Sequence, residues 1–447
     1  MVQPSKSARK GSGGFPIVMV FAAGFLAGMS NSDRVPVSWL SCFTLRAPVV
    51  YLLLVVFPFP LDLLPWLESL QAALTRGMMA IGRIALQAGI GFHDPIPDIV
   101  NGSGDRLDLW VAQAGMLLTA LVAGAAWAAV ARHAAMQARI ATAGRFYLRY
   151  VLASAMIIYG VSKVTLSQFP APSVDRLVQP LGEGSPMGLI WTMVGLSPAY
   201  QFIGGLLELI AGLLLLSRRT APAGALLMAG IMFNVALLNY CYDVPVKQYS
   251  TQLLLGALVL AAPHFSGLVN LLVLGRPAAP AGPAGTPWSG WRRYAYAGGN
   301  LAFAGTTIFF AGFTGSNPPP PDLYATYEVV TFQRDGAPVP ALADDPLRWR
   351  YFTLTGRGTA IIRSVGGVRS LYGAKTDLAT GKIMLTSREQ APEISELSYT
   401  QPTADTLTLA AKQAGATLAV KLRRRRPDEF LINNRGFHWI NPTPFNR

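Results

Sequence analysis

The chain has 447 residues, of which 51% are hydrophobic and only 13% charged, with a mean hydropathy of +0.36. A soluble domain carries roughly 25% charged residues, so this composition excludes an ordinary globular protein and points to a polytopic membrane protein. The net charge of +14 does not read as nucleic-acid binding, because the arginines sit beside apolar runs, as membrane-topology signals do.

Taken in chain order, residues 1–40 come first. Lys6, Arg9 and Lys10 precede a short apolar run, Phe15 to Gly28, that ends in small residues. This reads as a removable leader, a short extra helix, or a segment upstream of a start at Met29. Seven spans are then predicted, at 43–60, 109–131, 147–167, 199–217, 221–241, 249–265 and 296–314. Each has about the length a bilayer requires. Residues 66–90 are amphipathic, with Arg76 and Arg83 seven apart, as in a helix lying at the membrane interface.

The predicted organisation is two N-terminal spans with the interfacial helix and an outer loop (41–144), a four-helix unit (145–275), a Pro/Gly/Ala linker (276–295) and a last span (296–315). Arg132, Arg139, Arg145, Arg149, Arg218, Arg219, Arg276, Arg292 and Arg293 fall in one set of loops. Asp94, Asp98, Asp105, Asp175, Glu183 and Asp243 fall in the alternate set. By the positive-inside rule the first set is cytoplasmic and the second is outside.

After a polyproline spacer, residues 320–447 change character. Short β-rich runs such as TYEVVTF, WRYFTLT and TLAVKL alternate with turn signals such as RDGA and ATGK. That spacing predicts an antiparallel sandwich or small barrel, an outer β-domain of about 120 residues.

Lys163 and Glu208 lie well inside the apolar runs of predicted spans. Charges at membrane depth are costly, pair with one another and mark function. Span directions place both in the outer half, with Asn234 at a similar depth and Tyr159 one turn from Lys163 on the same face. Gln168, Asn239, Asp243, Lys247 and Gln252 extend this polar set outward. Two readings stand: the pair locks helices together, or it touches a ligand or proton.

Other signals are weaker. His93 beside Asp94 could be a proton-active pair. The NGSGD run ending at Asp105 lacks the Lys and Ser/Thr of a phosphate loop and reads as a helix cap. Arg423 to Arg426 form either a solvated hairpin or a lipid-headgroup contact. Phe437 and Trp439 either pack the sheet or dock on the bilayer or bundle. Cys42 and Cys241 are far apart with no CxxC pair, and the four histidines lack metal-ligand spacing. No motif for a metal, haem or nucleotide is present.

The block from Arg145 to Leu274 resembles the DoxX/DoxD-like membrane family. The residues that carry the likeness are YGVSK (Tyr159 to Lys163), QFPAPSVDRLVQPLG (Gln168 to Gly182), Glu208 ahead of LLLLSRRT (Leu213 to Thr220), and NYCYDVPVKQYS (Asn239 to Ser250). The resemblance implies a four-helix membrane unit in a bacterial inner membrane, with the β-domain periplasmic. It also implies redox work near the quinone pool, since some relatives are membrane subunits of thiosulfate:quinone oxidoreductases or of complexes that handle thiol stress. Quinone would be the cofactor, and other membrane or periplasmic subunits the partners. Lys163 and Glu208 would be the catalytic residues, with Tyr159, Gln168, Asn234, Asn239, Asp243 and Lys247 around the ligand. A non-catalytic envelope anchor whose β-domain binds a lipid or protein is the alternative. A small-solute or proton transporter is a third reading, resting on the buried charges alone.

Overall fold

The computed structural model describes residues 38–60, 67–96, 104–130, 133–277, 290–313 and 322–436, except 343–344, 357, 389–391, 393, 395 and 414. The N-terminal leader, Asn101, most of the Pro/Gly/Ala linker, the polyproline spacer and the terminal Phe437, His438 and Trp439 lie outside the described residues. The chain divides into a helical unit and a β unit, and the β unit also takes in Ala171–Ser185 and Trp191–Leu196.

The helical unit contains α1 (Trp39–Val56), α2 (Leu67–Ile90), α3 (Leu107–Val130), α4 (Ala134–Val164), the start of α5 (Pro186–Leu196), α6 (Pro198–Leu216), α7 (Ala221–Cys241), α8 (Lys247–Ala261) and α9 (Trp291–Phe313). Local chemistry sets several of their starts. The Ser38 hydroxyl accepts from the Ser41 amide at the head of α1, and Ser197 accepts from Tyr200 at the head of α6. Pro198 follows Ser197 at the first helical position, where its missing N–H is no loss.

Among the described residues, five helices are long and apolar enough to cross a membrane: α1, α3, α6, α7 and α8 with its continuation to Leu272. The expected seven-span count depends on two others, α4 and α9, which are long but less apolar. Arg149 and Lys163 bracket the apolar stretch of α4, while glycines, Asn300 and threonines dilute α9. The predicted amphipathic segment is α2, with Arg76 and Arg83 exposed. Its Gly82 is buried against α3, where a Cβ would collide with the Val111 carbonyl. Small residues at such crossings let helix backbones touch, which is how packing is gained where lipid supplies no hydrophobic drive.

The β unit settles the choice between sandwich and barrel. Its main strands are β1 (Thr326–Arg334), β2 (Trp349–Thr355), β3 (Thr359–Ser364), β4 (Arg369–Asp377), β5 (Lys382–Ser387), β6 (Glu396–Thr403), β7 (Thr406–Gln413) and β8 (Ala416–Arg424). Each pairs antiparallel with the next, and β8 returns to β1 with Phe332 opposite Val420. The result is a closed eight-stranded up-and-down barrel, which leaves no free sheet edge among these strands.

Alternation puts Tyr327, Phe332, Trp349, Phe352, Leu354, Ile362, Tyr372, Leu397, Leu409 and Val420 into one core. The polar tips of its aromatics find partners, as buried tyrosines and tryptophans must. Trp349 Nε1 donates to Gln413 Oε1 at 3.2 Å, and the Tyr372 hydroxyl donates to the Pro392 carbonyl at 2.9 Å. The expected RDGA turn is formed, with Asp335 at φ 53° and Gly336 at φ 80°. Two positive φ values mark the type I′ turn whose twist suits a hairpin.

The run Arg423 to Arg426 is a strand end bound to carboxylates. Arg425 bonds Glu328 at 2.7 Å, Arg426 bonds Asp405 at 2.7 Å, Arg424 lies 3.5 Å from Asp322, and Arg423 lies near Glu328 and Glu429. The Arg426 hydrogen bond holds the Asp405 carboxyl below the usual carboxylate range.

Because Trp349 is fully buried and hydrogen-bonded, Trp349→Ala should lower the stability of the barrel by about 3–5 kcal/mol. Denaturant unfolding of the full chain, followed by β-sheet circular dichroism, checks this. A loss under about 1 kcal/mol would mean the barrel core is not organised around this ring.

Candidate membrane-embedded site

The site grows from one helix crossing. Gly160 of α4 and Gly205 of α6 face each other so closely that a Cβ on Gly205 would lie 2.6 Å from Lys163 Cβ and 2.8 Å from the Gly160 carbonyl oxygen. Three residues on from each glycine, on the same helix face, come Lys163 and Glu208. Lys163 Nζ donates to Glu208 Oε1 in an ion pair. The side chains are 14% and 3% exposed. Glu208 Oε2 is buried and has no hydrogen-bond partner among the described residues.

Aromatic and polar groups frame the pair. Lys163 Nζ lies 5.9 Å from the centre of the Tyr159 ring, within cation–π range. The Tyr159 ring in turn lies 6.1 Å from Tyr249 of α8. Gln201 of α6, 2% exposed, donates from Nε2 to the Lys163 carbonyl at 3.4 Å. It thereby serves one of the carbonyls that a helix C-terminus leaves open. Gln168 closes the turn after α4 through its amide to the Ser162 carbonyl, and its own side-chain oxygen is buried without a hydrogen bond.

The remaining expected residues separate from this centre. Asn234 was expected beside the pair at a similar depth, but it is exposed on α7 and makes no hydrogen bond to either member. Depth along a span does not fix the angular position around it, and the buried line of α7 runs through Met228, Met232, Ala236 and Asn239. Asn239 does lie inside, but it donates to Ser250 Oγ at 3.0 Å and ties α7 to α8. Asp243 sits in the left-handed region at φ 50° and pairs with Lys247 at 2.7 Å, with its side chain largely exposed. These residues build the α7–α8 turn.

Asp105 also has a different role from the one its position suggested. It accepts from the Lys247 and Gln248 amides at 2.6 and 3.0 Å. It therefore caps α8 from a distance, where the sequence pointed to a cap on its own span. Gly104, whose amide bonds the Pro245 carbonyl, brings the two loops together. A carboxylate over free helix N–H groups is favoured by both hydrogen bonding and the helix dipole. His93 and Asp94 are exposed beyond α2. Among the described residues no three of His, Cys, Asp and Glu gather as metal ligands.

Sequence reading missed Gln201, Tyr249 and the glycine pair. A usable signal existed for the glycines, since GVSK and GLLE each place a glycine three residues before the buried charge.

A second feature concerns the segment after α4. Residues Ala171–Ser185 belong to the β unit. Arg363 of β3, with its side chain 4% exposed, donates to Glu183 at 2.6 Å, and Arg369 of β4 lies 3.8 Å from Asp175. The outward face of β3 and β4 is thus fastened to this segment by two ion pairs.

Two outcomes follow from the crossing. Gly205→Leu should destabilise the helical unit by about 1–3 kcal/mol or more through overpacking. The adjacent Gly204→Leu should be nearly silent, because no atom lies within 4 Å of a Cβ there. Thermal unfolding in detergent compares them, and equal effects would refute the contact. Likewise Lys163→Met, which strands a buried carboxylate, should cost about 3–5 kcal/mol, and Lys163→Met/Glu208→Met should recover most of it. A double variant no more stable than the single one would show that the pair is not coupled.

Comparison with known proteins places the chain in outline. No known family model matches it, and no solved structure does. It is 35% identical over 114 residues to the uncharacterized protein YwoB of Bacillus subtilis (strain 168), a stretch that is 25% of this chain and 71% of that protein. Three quarters of the chain lie outside that likeness. On identity and coverage, this chain belongs to the family of YwoB.

Proposed function

We propose that the Lys163–Glu208 pair binds the polar head of a quinone or a similar lipid-like ring molecule, and that the chain serves as a membrane subunit of a quinone-associated redox complex. The observation that carries this is Glu208 Oε2, a buried carboxylate oxygen with no hydrogen-bond partner among the described residues. A hydroxyl of the reduced quinol donating to that oxygen would satisfy it, and the Lys163 ammonium beside it would donate to a ring oxygen in either redox state. Tyr159, with Tyr249 beyond it, offers aromatic surface next to the pair. A buried polar atom without a partner is costly, so a ligand that fills it gains affinity there. The chain has no CxxC pair, so in this reading electrons pass through a partner subunit. Lys163 would hold or release the proton.

The membrane is the bacterial inner membrane in this reading, and the barrel is extracytoplasmic. Two facts support the side. The Arg-rich connections alternate with acidic ones along the chain, and the acidic segment holding Asp175 and Glu183 is part of the barrel unit.

The same segment favours a second reading, a non-catalytic anchor whose barrel binds a lipid or protein partner. The connection that follows Lys163 is committed to fastening the barrel, which is what a scaffold requires.

Purification of the full chain in mild detergent, with mass spectrometry of what co-purifies, separates the two. A quinone present in the wild type and absent from both Lys163→Met and Lys163→Met/Glu208→Met supports the first reading. A quinone retained by the folded double variant would sink it. A stoichiometric lipid or protein in all three, with no quinone, would move the function to the barrel.

A further inference from the structure

The strongest one-sided charge in the helical unit lies where α4, α6 and α9 meet. Arg149 of α4, 7% exposed, donates from Nη2 to the Tyr296 hydroxyl of α9 at 3.0 Å. That hydroxyl donates to the Leu216 carbonyl at the end of α6 at 2.8 Å, and Asn300 donates to the same carbonyl at 3.0 Å. These bonds bring the middle of α4, the end of α6 and the first turns of α9 to one point. Arg145, Arg218, Arg219, Arg292 and Arg293 stand exposed within a few residues of it. Residues 109–174, 209–242 and 244–321, which include every residue of this junction, contain no Asp or Glu.

Two details exceed what a topology signal needs. Such arginines act from exposed loops, yet Arg149 is buried, with its guanidinium 5.4 Å from the Phe146 and Tyr150 ring centres. Its Nε is buried and has no hydrogen-bond partner among the described residues. In addition, Trp291 and Tyr294 are 75% and 68% exposed beside the arginines, as amphipathic rings are at headgroup level.

We propose that this junction binds the phosphate headgroup of an anionic phospholipid. Arginine forks match phosphate oxygens in pairs, and basic clefts between helices at headgroup level hold anionic lipids. The exposed apolar flank of α9, including Leu301 and Phe309, suits the acyl chains. A free phosphate shares the headgroup chemistry but would make no use of that flank. The site is separate from the Lys163–Glu208 pair and stands whether or not that pair binds quinone.

Thermal unfolding of the full-length protein in neutral detergent tests it, titrating phosphatidylglycerol, phosphatidylcholine or inorganic phosphate. Phosphatidylglycerol should raise the unfolding midpoint, and phosphatidylcholine and phosphate should not. The apparent affinity should fall about tenfold or more in Arg218→Gln/Arg219→Gln and again in Arg292→Gln/Arg293→Gln. It should be unchanged in Lys412→Gln/Lys421→Gln, which removes two exposed charges from the barrel strands. Equal protection by phosphatidylcholine, equal weakening by the barrel variant, or full protection by inorganic phosphate would each overturn the proposal.

Discussion

Everything near the Lys163–Glu208 pair depends on the approach of Gly160 to Gly205. With any side chain at either position the two backbones would have to move apart. The ion pair then reinforces what the glycines permit. The glycines let the helices touch without desolvating any side chain, and the pair makes that register the one in which neither charge is stranded. Gln201 and Tyr159 add polar and aromatic contacts to the same crossing. A ligand site built this way has rigid walls, because it stands on two packed helices and not on loops.

The barrel answers a different constraint. Antiparallel strands expose an unpaired edge unless the sheet closes, and here β8 closes on β1. The interior is occupied by its own aromatic and aliphatic side chains, so recognition by this unit would use its outer surface or its turns. Part of that outer surface is already taken by Ala171–Ser185 through Arg363 and Arg369. This segment joins the end of α4, which carries Lys163, to the helices leading into α6, which carries Glu208. Both charged helices are therefore directly continuous with chain that belongs to the β unit. A redox subunit and a scaffold would each use such a link, the first to position a partner and the second to carry load.

Arginine serves three distinct purposes here. Along the strand end at Arg423 to Arg426 the charges are matched by Glu328, Glu429, Asp322 and Asp405. At Arg363 a single buried guanidinium fastens a loop. At the junction of α4, α6 and α9 the charges have no carboxylate in their own segments, and that imbalance makes this junction the candidate for an anionic headgroup. The net charge of +14 is thus unevenly distributed along the chain.

The sequence by itself determined the class of molecule. Apolar runs of membrane length, the interior positions of Lys163 and Glu208, and the period-two alternation beyond Tyr324 each follow from local pattern, and local pattern is what hydropathy and periodicity report. The tertiary structure decided what depends on rotation and on distant partners. It turned Asn234 outward and Asn239 inward, because angular position around a helix is set by packing against neighbours. It moved Asp105 from its own helix to the head of α8, because a loop contact at Gly104 outweighs sequence proximity. It closed the sheet into a barrel, because pairing between the first and last strands is the most distant pairing in the sheet. And it joined Lys163 to Glu208, because two glycines forty-five residues apart had first to meet.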